Sequence, residues 1–195
     1  SMGYRSHQTQ TCGLHIHVNR SAFGKTYEEQ EEVIARIVFF VENHWNELLK
    51  FSRRTEQAMN RWASRYGISE NTQETYIKAK SKRLGRYTAV NIETNQPTLE
   101  LRLFRGTLRY QTFAATLELV DEICNTCIKM DDEELEALSW SYFVLGIKDR
   151  TVILYSFNTE IILGICEIIV TLVLVIVGVN SVDIVNNLKY FRKTY

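Results

Sequence analysis

Proline is almost missing from this chain: Pro97 is the only one in 195 residues. That excludes a proline-rich linker and predicts long helices and strands with few rigid corners. Cysteine is also sparse. Cys12, Cys124, Cys127 and Cys166 do not form a disulfide framework. A net charge is lacking too, because Lys plus Arg and Asp plus Glu both number 23. No global field therefore favours nucleic acid or an anionic membrane. Nothing in the opening residues reads as a secretory leader, so the expected location is cytoplasmic. No internal repeat is found.

The length is enough for one domain with a true core. Local charge is less even than the total: residues 78–109 hold a surplus of Lys and Arg over Glu, fit to face phosphates or carboxylates. Cys124 and Cys127 form a CxxC, but they continue the helical series Phe113, Leu117, Val120. They read as small core residues, since a metal or redox pair would need partners that the neighbouring sequence does not offer.

The stretch TCGLHIHVNR, residues 11–20, reads as a strand. Alternation puts Leu14, Ile16 and Val18 on one face and His15 and His17 on the other. Thr26 then caps a helix that opens on four glutamates within residues 28–32. Ile34, Ile37, Val38, Val41, Trp45, Leu48 and Leu49 repeat along it at helical spacing, which predicts a buried stripe facing the strands. A second helix is predicted over 54–66, ending near Gly67, and the polar segment 69–84 reads as helix or loop. Residues 86–93 and 98–106 read as strands joined by a turn at TNQP. In the second strand Leu99, Leu101 and Leu103 are expected on one face, with Glu100, Arg102 and Phe104 on the other. Helices follow at 111–129 and near DDEELEAL. The hairpin and its flanking helices predict an α+β fold: an antiparallel sheet with helices packed on one face.

The end of the chain reads differently. Residues 161–179, IILGICEIIVTLVLVIVGV, carry one charge, Glu167. Three readings stay open: a membrane span with a basic flank, one or two buried strands, or a non-native end of the kind a frameshift leaves. The expected organisation is a domain over 1–147 and an atypical apolar tail over 148–195.

The polar face of the predicted sheet gathers His15, His17, Arg86, Glu100 and Arg102, with Asn91 nearby in sequence. Imidazole nitrogen with carboxylate oxygen is a usable ligand set for a divalent cation. Arginines beside such a cation hold anionic oxygens by charge-assisted bonds. Together these groups are equipment for phosphoryl transfer. The plain alternative is a wet sheet face with no function. Cupins also use His-x-His, but the glutamate they need soon after is absent here, and an amidohydrolase barrel needs a longer chain.

The strings SHQTQTCGLHIHVNRSAFG, RYTAVNIETNQPTLELRLFRGTLR and SWSYF, in that order, closely resemble the putative amidoligase family over about residues 4–147. That family belongs to the carboxylate–amine ligases related to glutamine synthetase and glutamate–cysteine ligase. The resemblance implies a catalytic fold of that type and an ATP-dependent ligase. Such an enzyme phosphorylates a carboxylate and passes the acyl phosphate to an amine, with Mg²⁺ or Mn²⁺ as the metal. It implies His15 and Glu100 as metal ligands, His17 and Arg105 on the nucleotide side, and Arg102 and Arg86 at the transferring phosphate or substrate. The implied partners are carboxylate and amine substrates, peptides or proteins among them, and no nucleic acid. A Gly-x-Glu-x-Glu strand that precedes GLHxHV in the family has no counterpart in this sequence. The expectation is therefore a C-terminal part of the ligase sheet, inactive unless a second chain supplies the missing strands. The alternative class is a non-catalytic binding module of the same fold.

Overall fold

The computed structural model describes residues 13–147. In chain order these form β1 (Gly13–Asn19), a 3₁₀ turn (Arg20–Ala22), α1 (Tyr27–Asn43), α2 (Trp45–Ser52), α3 (Glu56–Trp62), α4 (Thr72–Lys82), β2 (Val90–Asn91), β3 (Thr98–Arg105), α5 (Tyr110–Lys129), α6 (Asp132–Glu136) and α7 (Trp140–Gly146). The class is α+β. The three strands make one antiparallel sheet in the order β1-β3-β2. Of the region expected as a full strand over 86–93, only Val90–Asn91 forms a strand of the sheet, while Thr88 makes an isolated parallel bridge to Ser64.

Thr26 caps α1 as the sequence predicts. Its hydroxyl accepts the Glu29 N–H at 3.2 Å, and the Glu29 carboxylate accepts the Thr26 N–H at 3.1 Å. The pair satisfies two amide groups that a helix start leaves open. Ile34, Ile37, Val38 and Val41 are fully buried. The stripe does not run on as one helix, however. The backbone turns at His44 (φ −101°, ψ 30°), and α2 starts at the next residue. The His44 ring lies edge-on to Phe40, 4.6 Å between centroids, and 5.6 Å from Trp140. Burial holds this imidazole below its ordinary pKa, so it stays neutral.

The break divides the labour of the stripe. α1 packs against α4 and α5, while α2 packs on β3. Trp45 and Leu48 are buried as expected, but Leu49 is only half-buried. Leu14, Ile16 and Val18 are likewise half-buried rather than covered by the whole stripe. Cys124 and Cys127 are buried free thiols, as expected; burial pushes the Cys124 thiol up to about 12, which makes it inert as a nucleophile.

One buried staple ties the helices to the sheet. The Glu42 carboxylate accepts the Tyr66 N–H at 2.7 Å and the Arg65 Nε–H at 2.9 Å. Arg65 also stacks on Trp45, 4.9 Å from the ring centre. The segment so held pairs with the approach to β2: Ala89 N–H donates to the Ser64 carbonyl at 2.9 Å, and Tyr66 hydroxyl donates to Thr88 Oγ1 at 3.2 Å. The two residues of β2 are thus fixed from the helical side, and Asn91 is held in place beside β3.

Among the described residues no helix is long and apolar enough to cross a membrane. The candidate span at 161–179, Cys12, Cys166 and the whole tail from 148 lie outside the described residues.

Candidate functional site

The wet face of the sheet is built row by row. His17 on β1 stands opposite Glu100 on β3, and Asn91 on β2 stands opposite the same Glu100. Directly opposed residues of antiparallel strands share a face. One row therefore reads His17, Glu100, Asn91 across all three strands. Behind it, on the other face, runs the row Val18, Leu99 and, one pair further on, Ile16, Leu101, Val90.

Alternation then fails once, at a bulge. Leu14 opposes Phe104 and Ile16 opposes Leu101, so Arg102 and Leu103 together face His15 alone. A bulge of this kind re-aims the side chains beyond it. Phe104, expected on the polar face, instead shares Leu14's face; it is buried edge-on to Phe51 of α2, 6.1 Å between centroids. Arg105 takes the place opposite Gly13, on the face that carries His15. Simple period-two counting from Glu100 would have put Arg105 on the core side.

The centre of the face is Glu100, buried with its charge. Asn91 Nδ2–H donates to Glu100 Oε2 at 2.8 Å, and Arg102 Nη1–H donates to Oε1 at 2.7 Å. Burial alone would raise this carboxyl's pKa; the Asn91 bond and then the Arg102 charge outweigh it, and it lies below the usual carboxylate range. His15 Nδ1 lies 3.1 Å from Glu100 Oε1 and 3.2 Å from Arg102 Nη1. Burial, then the Arg102 charge, lowers the His15 pKa. A neutral ring with its proton on Nε2 lets Nδ1 accept from Arg102. His17 Nε2 lies 3.6 Å from the same Glu100 oxygen, and its Nδ1 is 3.0 Å from Thr98 Oγ1.

Two imidazole nitrogens and one carboxylate oxygen thus converge, and the guanidinium nitrogen of Arg102 stands where they meet. The donor chemistry suits a cation, and a cation is what sits there. In this arrangement no three His, Cys, Asp or Glu side chains among the described residues are placed to hold a metal ion. A metal at this point requires Arg102 to move off Glu100.

Arg86 lies at the edge of the group. It is exposed, its Nη2–H donates to the Tyr87 hydroxyl at 2.9 Å, and it stacks on that ring. Arg102 lies over the same ring, 5.7 Å from its centre. Tyr87 is therefore the link between the two arginines.

Two participants were not legible as site residues. Tyr87 sits in the RYTAVN string with nothing to distinguish it from a strand aromatic. Arg54 belongs to a helix-connecting loop far away in sequence, and only the folded chain brings it to Gly13, where a Cβ would meet its Nη2 at 2.3 Å.

An α+β domain whose small antiparallel sheet gathers two exposed histidines over a buried glutamate–arginine pair is the class that fold and site define. The family model of the putative amidoligase enzyme matches residues 3–124. The chain belongs to that family. No curated protein and no solved structure matches it.

Proposed function

We propose that this amidoligase family member is an ATP-dependent carboxylate–amine ligase, built on the catalytic sheet type of glutamine synthetase and glutamate–cysteine ligase. One observation carries the reading beyond family membership: His15, His17 and Arg102 converge on a single oxygen of the buried Glu100. A sheet face without a task has no reason to bury a carboxylate and a guanidinium side by side on its wet side.

The reaction has two steps. A carboxylate oxygen attacks the terminal phosphorus of ATP, and the bond to the ADP oxygen breaks. The amine nitrogen then attacks the acyl carbon, the bond to phosphate breaks, and the nitrogen sheds a proton to water. In this reading His15 and Glu100 would hold Mg²⁺ or Mn²⁺ once Arg102 leaves Glu100. The bound ion supplies neutralising charge to the phosphates. His17 and Arg105, both on the wet face, lie on the nucleotide side. Arg102, with Arg86 behind Tyr87, meets the transferring phosphoryl group. The substrates are a carboxylate and an amine, peptides or proteins among them.

A binding module of the same fold is the second reading, favoured by the pairing of Glu100 with Arg102, which leaves that carboxylate neutralised. The four histidines, His7, His15, His17 and His44, offer a test. Mn²⁺ added with a non-hydrolysable ATP analogue is expected to broaden the proton resonances of His15 and His17 at lower concentration than those of His44. Glu100→Gln should abolish that order. Equal broadening of all four rings, or no effect of Glu100→Gln, would count against a metal–nucleotide site here.

A further inference from the structure

Arg54 makes no hydrogen bond to the cluster described so far, yet its surroundings are unusual for an arginine. α2 ends at Arg53, which adopts the left-handed conformation (φ 57°) and turns the chain. The Arg54 N–H donates to Ser52 Oγ at 3.1 Å, and that hydroxyl donates to the Leu49 carbonyl at 2.7 Å. The turn is therefore braced from behind, on a helix that packs on β3.

From this turn the guanidinium reaches the start of β1. A Cβ on Gly13 would lie 2.3 Å from Arg54 Nη2 and 3.0 Å from His15 Nε2. Residue 13 is thus bare where Arg54 lies against the His15 face. Arg54 Nη1 is buried and has no hydrogen-bond partner among the described residues. The same holds for Nε of the buried Arg102. Two buried N–H donors of two cations lack acceptors, and the two guanidinium charges lie close enough to repel each other. Glu100 is engaged by Arg102 and Asn91 through both its oxygens. Burial and then the Arg102 charge lower the Arg54 pKa, as expected for a cation with no anion beside it.

We propose that Arg54 and Arg102 bind an oxyanion between them at the bare backbone of Gly13. The occupant is an anionic phosphate or carboxylate oxygen set that accepts from Arg54 Nη1 and Arg102 Nε. An oxyanion supplies acceptors and negative charge together, and buried guanidinium donors without acceptors are costly to maintain. Water would satisfy the donors but would leave the charge surplus. The proposal rests on the ligase reading for its meaning, as the place where a phosphoryl or substrate carboxylate group is held, but not for its geometry.

The test titrates the full chain with inorganic phosphate, and in a parallel arm with acetate, at fixed ionic strength and without nucleotide, by calorimetry. Saturable binding of one of the two is expected, and the arm that binds tells which anion the site takes. Arg54→Met should weaken it at least tenfold, and Arg54→Lys should recover only part, because lysine keeps the charge without the planar fork. Gly13→Ala should weaken it as well by displacing the guanidinium, and it decides the matter should Arg54→Met fail to fold. Arg83→Met, at an exposed position, should bind as wild type. No saturable binding of either anion by the wild-type chain, or wild-type affinity in both Arg54→Met and Gly13→Ala, would overturn the proposal. Anion binding that depends on Arg54 in a chain that lacks ligase activity even when completed with the family's upstream strand would leave this site standing and remove the ligase reading. Wild-type ligase rates in Arg54→Met together with unchanged anion affinity would do the reverse.

Discussion

Arg102→Lys in a complete enzyme is expected to lower turnover by about 10²–10³-fold while leaving nucleotide affinity nearly unchanged, the range for losing one preorganised charge contact. Arg102 leaves β3 two residues after Glu100 and holds its Oε1 at 2.7 Å. It is buried, and its Nε has no partner among the described residues. A surface arginine paired with a nearby acid contributes about 0–1 kcal/mol, and its replacement by lysine is almost silent. Arg102 is not such a residue, because it is shielded from water and stacked over Tyr87. In the proposed reaction charge grows on the phosphoryl oxygens as the carboxylate attacks, so the guanidinium gains more in the transition state than in the ground state. Lysine keeps the charge but loses the fork and the ring contact. Steady-state kinetics beside a melting curve separate the two effects: a fall in kcat with little change in KM or Tm is the expected pattern. Wild-type turnover would make Arg102 a structural partner of Glu100 and no more.

Leu101→Ala should cost about 2–5 kcal/mol of stability, the range for emptying a fully buried leucine site. Leu101 is 0% exposed and stands between Ile16 on β1 and Val90 on β2. It is the middle of the apolar row directly behind the Glu100 row. The cavity would open under the strand that aims Glu100 and Arg102, so the variant is also expected to lose activity before it unfolds. Chemical denaturation of a two-state preparation checks the value. A loss below about 0.5 kcal/mol would mean that the apolar face of β3 had been assigned the wrong way round.

What the sequence revealed and what it hid follow from how far each interaction reaches. The Thr26–Glu29 cap, the α1 stripe and α5 were legible because helix signals lie within a few residues of one another. The polar set His15, His17, Glu100 was legible because alternation is a local rule, and the register confirms that His17 and Glu100 are direct neighbours. Period two could not reveal the bulge, which depends on how β3 pairs with β1. It therefore misplaced Phe104. The break at His44 was hidden for a similar reason: the apolar spacing continues through it, and only the packing of His44 against Phe40 and Trp140 shows the turn. Arg54 was beyond sequence reasoning, since its meaning lies in the bare Cα of a residue on another element.

The oxygen atoms of the substrate test the central claim most directly. Candidate carboxylates labelled with ¹⁸O can be offered, with ATP, Mg²⁺ and a primary amine, to the chain completed with the Gly-x-Glu-x-Glu strand of its family. The released inorganic phosphate is then read by mass spectrometry. An acyl phosphate step predicts one ¹⁸O per phosphate, formed in proportion to amide, with both lost in Glu100→Ala. Amide formation with unlabelled phosphate, or with release of AMP instead of ADP, would contradict the account.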